Sequence, residues 1–249
     1  MKILVCISSV PDTTTKINFI ENNTSLNTSG VQFVINPNDE FGLTKALQLK
    51  EATPGAKVTV IHVGPSTNDP VIRKSLAIGA DDAVRIDTEA IDAMQVAGEI
   101  ANYVKSNPYD LIITGKESID YNGAIVPHAL GEMLGIPSVS PCLGLNIDGS
   151  EAKLIGLVDG GKEELTASLP VIAGGQKGMV EENELRIPNM RGIMQARSKP
   201  LIIVDASGSK SSQKVANYDS PAPKEACKMV DANNVEELVK LLQNEAKVI

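Results

Sequence analysis

Residues 57–86, KVTVIHVGPSTNDPVIRKSLAIGADDAVRI, decide the fold. KVTVIHV is apolar or β-branched at nearly every position, so neither of its faces suits water. It reads as a strand buried on both sides. Asp69-Pro70 then opens a helix, with the proline in the first turn, where its missing N–H costs nothing. Ile72 and Leu76 lie on one face of that helix, and Gly79 closes it. AVRI is the next strand. Buried strand, helix and buried strand, joined by short links, make the unit of a doubly wound parallel sheet.

The same rhythm runs outward in both directions. Ile3 to Ile7 is a continuous aliphatic run, a first buried strand ended by Ser8-Ser9 and Pro11-Asp12. Residues 38–51 place Phe41, Leu43, Ala46 and Leu47 on one helical face, and Pro54-Gly55 breaks that helix. Residues 91–105 predict another helix, DLIITG at 110–115 the strand after it, and Gly123 to Leu134 a helix closed by Gly135 and stopped by Pro137. Residues 17–35 interrupt the pattern, with KINF and VQFVI flanking a polar stretch as in a short hairpin.

Past Pro137 the pattern changes. Asp148-Gly149 between two alternating runs is a hairpin signal. ELTASLPVIAG and KPLIIVD read as further strands. Residues 205–230 are rich in Ser, Lys, Ala and Pro, carry no period, and read as an extended arm. The chain then closes on an amphipathic helix, with Asn233 as a cap, Glu236 three residues later, and Val235, Leu238, Val239, Leu242 and Ala246 along one face. The expected organisation is an α/β domain over 1–204 and, over 205–249, an arm and helix that dock on this domain or on a partner.

Composition narrows the function classes. Hydrophobic residues make up 42% and charged residues 22% of the 249, which suits a globular core, while 3% aromatics and no Trp make that core aliphatic. A net charge of −8 leaves no basic surplus for nucleic acid. Cys6, Cys142 and Cys227 are far apart and odd in number, so they offer no C-x-x-C site and suit a reducing compartment. The apolar N-terminal run is too short for a signal peptide or a membrane span. A cytoplasmic, non-integral protein is the expectation.

The chemistry on offer is binding. No G-x-x-x-x-G-K-[ST] and no G-x-G-x-x-G after the first strand occur. His62 in an aliphatic strand and His128 on a helix read as structural, and no G-x-S-x-G elbow is present. Pairs such as Asp81-Asp82 and Glu163-Glu164 read as solvated turns. What remains is the edge where Cys6-Ile7-Ser8, Val63-Gly64 and Thr114-Gly115-Lys116 end three parallel strands. Helix starts and free N–H groups converge there, and they outline a cleft suited to an adenine nucleotide.

Six motifs in order give the chain a resemblance. MKILVCISSVPDT, FVINPNDEFGLTKALQLKE, VIRKSLAIGADDAVRI, DLIITGKESID, VDGGKEELTASLPVIAG and RIPNMRGIMQARSKPL together resemble the β (small) subunit of electron transfer flavoproteins. The resemblance implies a Rossmann-like sheet of the adenine nucleotide hydrolase-like kind, and a carrier with no catalytic or metal residues of its own. It implies an α subunit holding FAD, with the β subunit covering one side of that FAD. Electrons would come from dehydrogenases, such as acyl-CoA dehydrogenase, and go to a quinone oxidoreductase or another acceptor. AMP is the implied structural ligand of the β subunit, with a second FAD instead in electron-bifurcating members. A stand-alone nucleotide-binding protein of universal-stress type is the competing reading, and it has no use for an arm and terminal helix.

Carried over by position, the nucleotide contacts are Cys6, Asn36, Val63, Gly115, Lys116, Asp120, Asn122, Gly123, Ala124, Ile125 and Val126. This chain departs from the family at 120–127, where AMP-binding members continue D-D-D-x-N-Q-T-G and bifurcating members D-G-D-T-A-Q-V-G. Here Ala124, Ile125 and Val126 replace polar side chains, so backbone N–H groups are expected to hold the phosphate. Ser8 stands where a lysine is usual, and Gly156-Leu157 where Arg-Glu is usual. Met190 takes the place of the leucine that plugs into a partner dehydrogenase, and Arg191, Arg197 and Lys199 are expected to steer an acidic partner. The resemblance makes Asp159-Gly160-Gly161 a hairpin turn on the part facing the α subunit, and the arm and terminal helix an embrace of that subunit.

Overall fold

The computed structural model describes every residue except Glu225. The first half runs β1 (Lys2–Cys6), β2 (Ser9–Pro11), β3 (Phe19–Ile20), β4 (Ser25–Leu26), β5 (Phe33–Ile35), α1 (Pro37–Ala52), β6 (Lys57–Val63), α2 (Asp69–Ile78), β7 (Asp82–Asp87), α3 (Ala93–Ser106) and β8 (Leu111–Gly115). The second half runs α4 (Val126–Leu134), β9 (Ser138–Asp148), β10 (Glu151–Val158), β11 (Gly161–Ser168), β12 (Val171–Gly175), α5 (Met190–Ala196), β13 (Leu201–Asp205) and α6 (Val235–Lys240).

One nine-stranded sheet has the order β11-β10-β9-β12-β8-β1-β6-β7-β13. From β9 to β13 every pairing is parallel, and only β10 runs against the rest, antiparallel to both β9 and β11. Helices cover both faces. Leu43, Ala46 and Leu47 of α1 and Val71, Ile72 and Leu76 of α2 pack on Ile3, Val5, Val58, Val60 and Ile113. Ala97, Ile100 and Val104 of α3 and Leu130 of α4 pack on Leu4, Cys6, Ile61, Val84 and Ile112. Successive residues of β1 therefore enter opposite cores, which is why its aliphatic run has no polar alternation. Each fully buried Leu or Ile contributes about 1.5–3 kcal/mol. The doubly wound reading holds.

Local signals set the ends. Asp92 caps α3 by accepting from the Gln95 N–H at 2.7 Å. Gly135, at φ +67, closes α4 in the left-handed conformation that glycine adopts without penalty. Asp159-Gly160 is the two-residue turn between β10 and β11, with Val158 opposite Gly161 and Gly160 at φ +84, so that stretch is the expected hairpin.

Three expectations change. VQFVI does not return on KINF: β3 pairs β4, whereas β5 pairs β2, which leaves β1 as an excursion above the sheet. The fourth helix begins at Val126, because Asn122 and Ala124 both have φ +50, outside helical geometry. Asn234, not Asn233, caps the last helix, accepting from the Glu237 N–H at 3.3 Å. A π-helical turn, Leu241–Ala246, extends that helix, and Val235, Leu238 and Val239 are exposed, which leaves a partner as the place for it to dock.

The start of the arm is tied down. The Ser207 and Ser209 N–H groups donate to the Glu99 carboxylate at 2.6 and 2.7 Å. The Ser212 and Gln213 N–H groups donate to Asp92 Oδ2 at 2.5 and 2.8 Å. Tyr218 stacks on Phe19 with ring centroids 4.8 Å apart, and its N–H donates to the Asn23 carbonyl at 2.7 Å. Its hydroxyl lies 3.3 Å from that of Tyr121. The arm thus crosses from α3 to the loops above the carboxyl edge of the sheet.

Candidate functional site

The chain leaves β1 for β6 and β7 on one side and returns to β8 on the other. Connections diverge between β1 and β8, and an open α/β sheet takes its ligands in the crevice that such a switch point leaves. Asn36 and Asp39, at the start of α1, bracket this point. Asn36 Nδ2 donates to Asp39 Oδ1 at 2.9 Å and to the Glu117 carbonyl at 2.9 Å, and its Oδ1 accepts from the Ile119 N–H at 3.2 Å. Asp39 Oδ2 accepts from the Ser8 N–H at 2.7 Å. One buried side-chain pair therefore holds the end of β1 and the loop after β8 together. Gly115 is glycine for this reason, since a Cβ there would land on Asp39 Oδ1 and within 3.0 Å of Asn36 Nδ2.

Burial, opposed by hydrogen bonds from Ser8, Asn36 and the Gly115 backbone, pushes the Asp39 carboxyl up to about 7. Burial first, and then the charge of Asp39, push the Cys6 thiol up, so Cys6 is an inert lining group. Val63 ends β6 buried beside it. His62 is structural as expected, with Nδ1 2.9 Å from the Ile7 carbonyl and Nε2 2.9 Å from Asn68 Nδ2. Burial holds its pKa below the usual histidine range.

Beyond β8, the Lys116 N–H donates to the Gly175 carbonyl at 2.8 Å, and its ammonium pairs with Glu117 at 3.1 Å. Asp120 is exposed, and the Asn122 N–H donates to the Ser118 carbonyl at 2.8 Å. Among the described residues, no backbone carbonyl or side chain accepts from the N–H groups of Gly123, Ala124, Ile125 or Val126. Left-handed Asn122 and Ala124 flank Gly123 just before α4. A left-handed non-glycine residue costs about 1–3 kcal/mol, and such turns gather N–H groups into an anion-binding concavity. The helix start adds its own partial positive charge.

The expected partner-facing residues lie elsewhere, on α5 against α2. Met190 is 75% exposed and has Met194, Ile187 and Ile193 as exposed neighbours, so it does not pack inside. Arg191 and Arg197 are exposed too. Lys199 turns inward, capping α2 through the Leu76 and Ala80 carbonyls at 2.8 and 2.6 Å, and this commits the charge expected to steer a partner. Arg73 grips the same segment through the Ala196 and Lys199 carbonyls at 2.8 and 2.7 Å. A shallow groove of about 430 Å³ runs between Gln48 and residues 183–187, away from the switch point.

Sequence reasoning missed Asp39, although an Asx side chain three residues after Asn36 in a helix's first turn was a signal for it. It also missed the Glu99 and Asp92 anchors of the arm, which no spacing announces. Among the described residues no helix is long and apolar enough to cross a membrane, and no three His, Cys, Asp or Glu gather as a metal site.

This fold and edge define a doubly wound α/β protein with a switch point at the carboxyl edge of its parallel sheet. The family model described as the electron transfer flavoprotein domain matches residues 24–209, and the chain belongs to that family. It is 33% identical over 263 aligned residues to the electron transfer flavoprotein subunit beta of Bacillus subtilis (strain 168), covering 100% of both chains. Against the subunit beta of Syntrophomonas wolfei it is 32% identical over 227 residues, covering 91% of this chain and 88% of the relative. The mitochondrial subunit beta of Arabidopsis thaliana is 30% identical over 260 residues, with 100% of both chains covered.

Proposed function

We propose that this chain is the small subunit of an electron transfer flavoprotein and holds AMP in the β1/β8 cleft. The observation that carries the ligand is the run of N–H groups at 123–126 that have no acceptor, presented by a strained turn at the start of a helix. Four donors in one turn suit a single terminal phosphate, and the side chains there add no charge. Cys6 and Val63 line the apolar end, and Asn36 with Asp39 fixes the spacing of the strand ends.

The α subunit carries the FAD, and that flavin supplies the redox chemistry. This chain covers it, excludes water, and presents the Met190 surface to dehydrogenase donors, such as acyl-CoA dehydrogenase, with a quinone oxidoreductase or another acceptor downstream. Arg191 and Arg197 steer an acidic partner. The terminal helix, whose Val235, Leu238 and Val239 are uncovered on the free chain, grips the α subunit.

The test is co-expression with the α subunit, followed by release and identification of every bound nucleotide. One FAD and one AMP per pair is the expected result. Two FAD per pair establishes the bifurcating alternative. One FAD and no second nucleotide rejects the cleft as a nucleotide site, and a chain that never pairs with an α subunit rejects the carrier reading.

A further inference from the structure

We propose that Thr114 is a ligand-binding residue of the same cleft, its hydroxyl donating to a phosphoryl oxygen. This rests on the nucleotide reading above and adds a side chain that reading does not use. Thr114 is the penultimate residue of β8 and only 3% exposed. Its Oγ1 is buried and has no hydrogen-bond partner among the described residues. Ser9 Oγ is likewise buried and unpartnered, in a residue that is otherwise only half-buried. Asp69, Asp82 and Arg85 also hold buried atoms without hydrogen bonds, but each of those side chains sits in an ion pair. Thr114 has no such compensation. A buried hydroxyl left unpaired is costly, so a group that can complete it is the expectation for a native site.

Its position says what that group is. Thr114 follows Ile112 by two residues and therefore shares its face, the one covered by α3 and α4. On one side the parallel register continues to Cys6, and on the other it pairs Thr114 with Gly174. A methyl on Gly174 would come within 3.3 Å of Pro127 in the first turn of α4. The hydroxyl therefore sits in the floor beneath the turn whose N–H groups at 123–126 lack acceptors. Ala124, Ile125 and Val126 bring no polar side chain to that turn. Backbone donors in that turn and a hydroxyl donor beneath it suit one anionic group. A hydroxyl matches a phosphoryl oxygen in this setting, and a base edge would leave the N–H groups idle.

The test compares the full chain with Thr114→Val and Thr114→Ser, each freed of nucleotide, by thermal melting and by calorimetric titration with AMP, FAD and inorganic phosphate. Thr114→Val keeps the shape and removes the unpaired hydroxyl. It is expected to raise the free-state melting temperature by about 2–4 °C while weakening AMP about tenfold. Thr114→Ser should retain AMP affinity. If Thr114→Val melts several degrees lower and binds AMP as tightly as the wild type, the hydroxyl is a structural group and the proposal falls. If the wild type binds neither AMP nor FAD but takes phosphate in a Thr114-dependent way, the nucleotide reading fails and the anion contact stands. If it binds none of the three, both fall.

Discussion

Two carboxylates in this molecule do the same job with opposite electrostatics. Asp39 accepts from the backbone at Ser8 and joins β1 to the loop after β8, and Glu99 accepts from the backbone at Ser207 and Ser209 and joins the arm to α3. Their residues are equally hidden from water, at 3% and 2% exposure. Yet burial pushes Asp39 up to about 7, whereas at Glu99 burial is outweighed by the hydrogen bonds from Ser207, Ser209 and Gly208, which hold it below the usual range. The difference is depth. Asp39 lies under strand ends and a helix start, with protein on every side. Glu99 is covered by one extended segment, beyond which is solvent. A small accessible area is not the same as a low dielectric, and only depth supplies the second.

The two joints therefore respond to pH in opposite senses. With its folded pKa raised, Asp39 contributes stability that is full below its ordinary value of 3.8 and is lost as pH rises through about 7. Glu99 and Asp92 are both held low, Asp92 because hydrogen bonds from Gln95, Gln213 and Ser212 outweigh its burial. Their contribution is present above the ordinary carboxylate range and is lost as pH falls through their depressed values. A rise from acid to neutral pH loosens the bracket at the cleft, and a fall to strongly acid pH frees the arm.

The largest expected effect breaks the deep joint outright. Gly115→Ala puts a methyl on the Asn36–Asp39 pair, and the denaturant midpoint should report a loss of about 3–4 kcal/mol. A loss under about 1 kcal/mol would show that the bracket yields freely and is not rigid. A smaller effect comes from Asp39→Asn, which removes the titration but keeps a carbonyl acceptor. Stability measured against pH should then lose a slope of up to about 1.4 kcal/mol per unit between the ordinary carboxylate range and neutrality. An unchanged slope would place Asp39 in a wetter setting, like Glu99. The smallest effect on the core is expected from Glu99→Gln, which turns an amide against the Ser207 and Ser209 N–H groups. Tryptic cleavage after Lys210 and Lys214 should quicken about tenfold, while core stability moves by less than about 0.5 kcal/mol. A core loss comparable to that of Gly115→Ala would make the arm part of the folding unit.

The sequence by itself determined the alternation of buried strands and helices, because continuous aliphatic runs and helical spacing leave one way to hide their surfaces. β1, β6, α2 and β8 were all legible on that ground, as was the Asp159-Gly160 turn. The edge holding Cys6, Val63 and Gly115 was legible too, since strand ends in a parallel sheet gather on one side. Only the tertiary structure decided what depends on distant partners. VQFVI pairs with Ser9–Pro11 because strand pairing is a choice between edges that a local pattern does not rank. Lys199 became a helix cap only once α5 lay against α2. Asp39 and Glu99 look alike as letters, and depth, a property of everything packed around them, separates their chemistry.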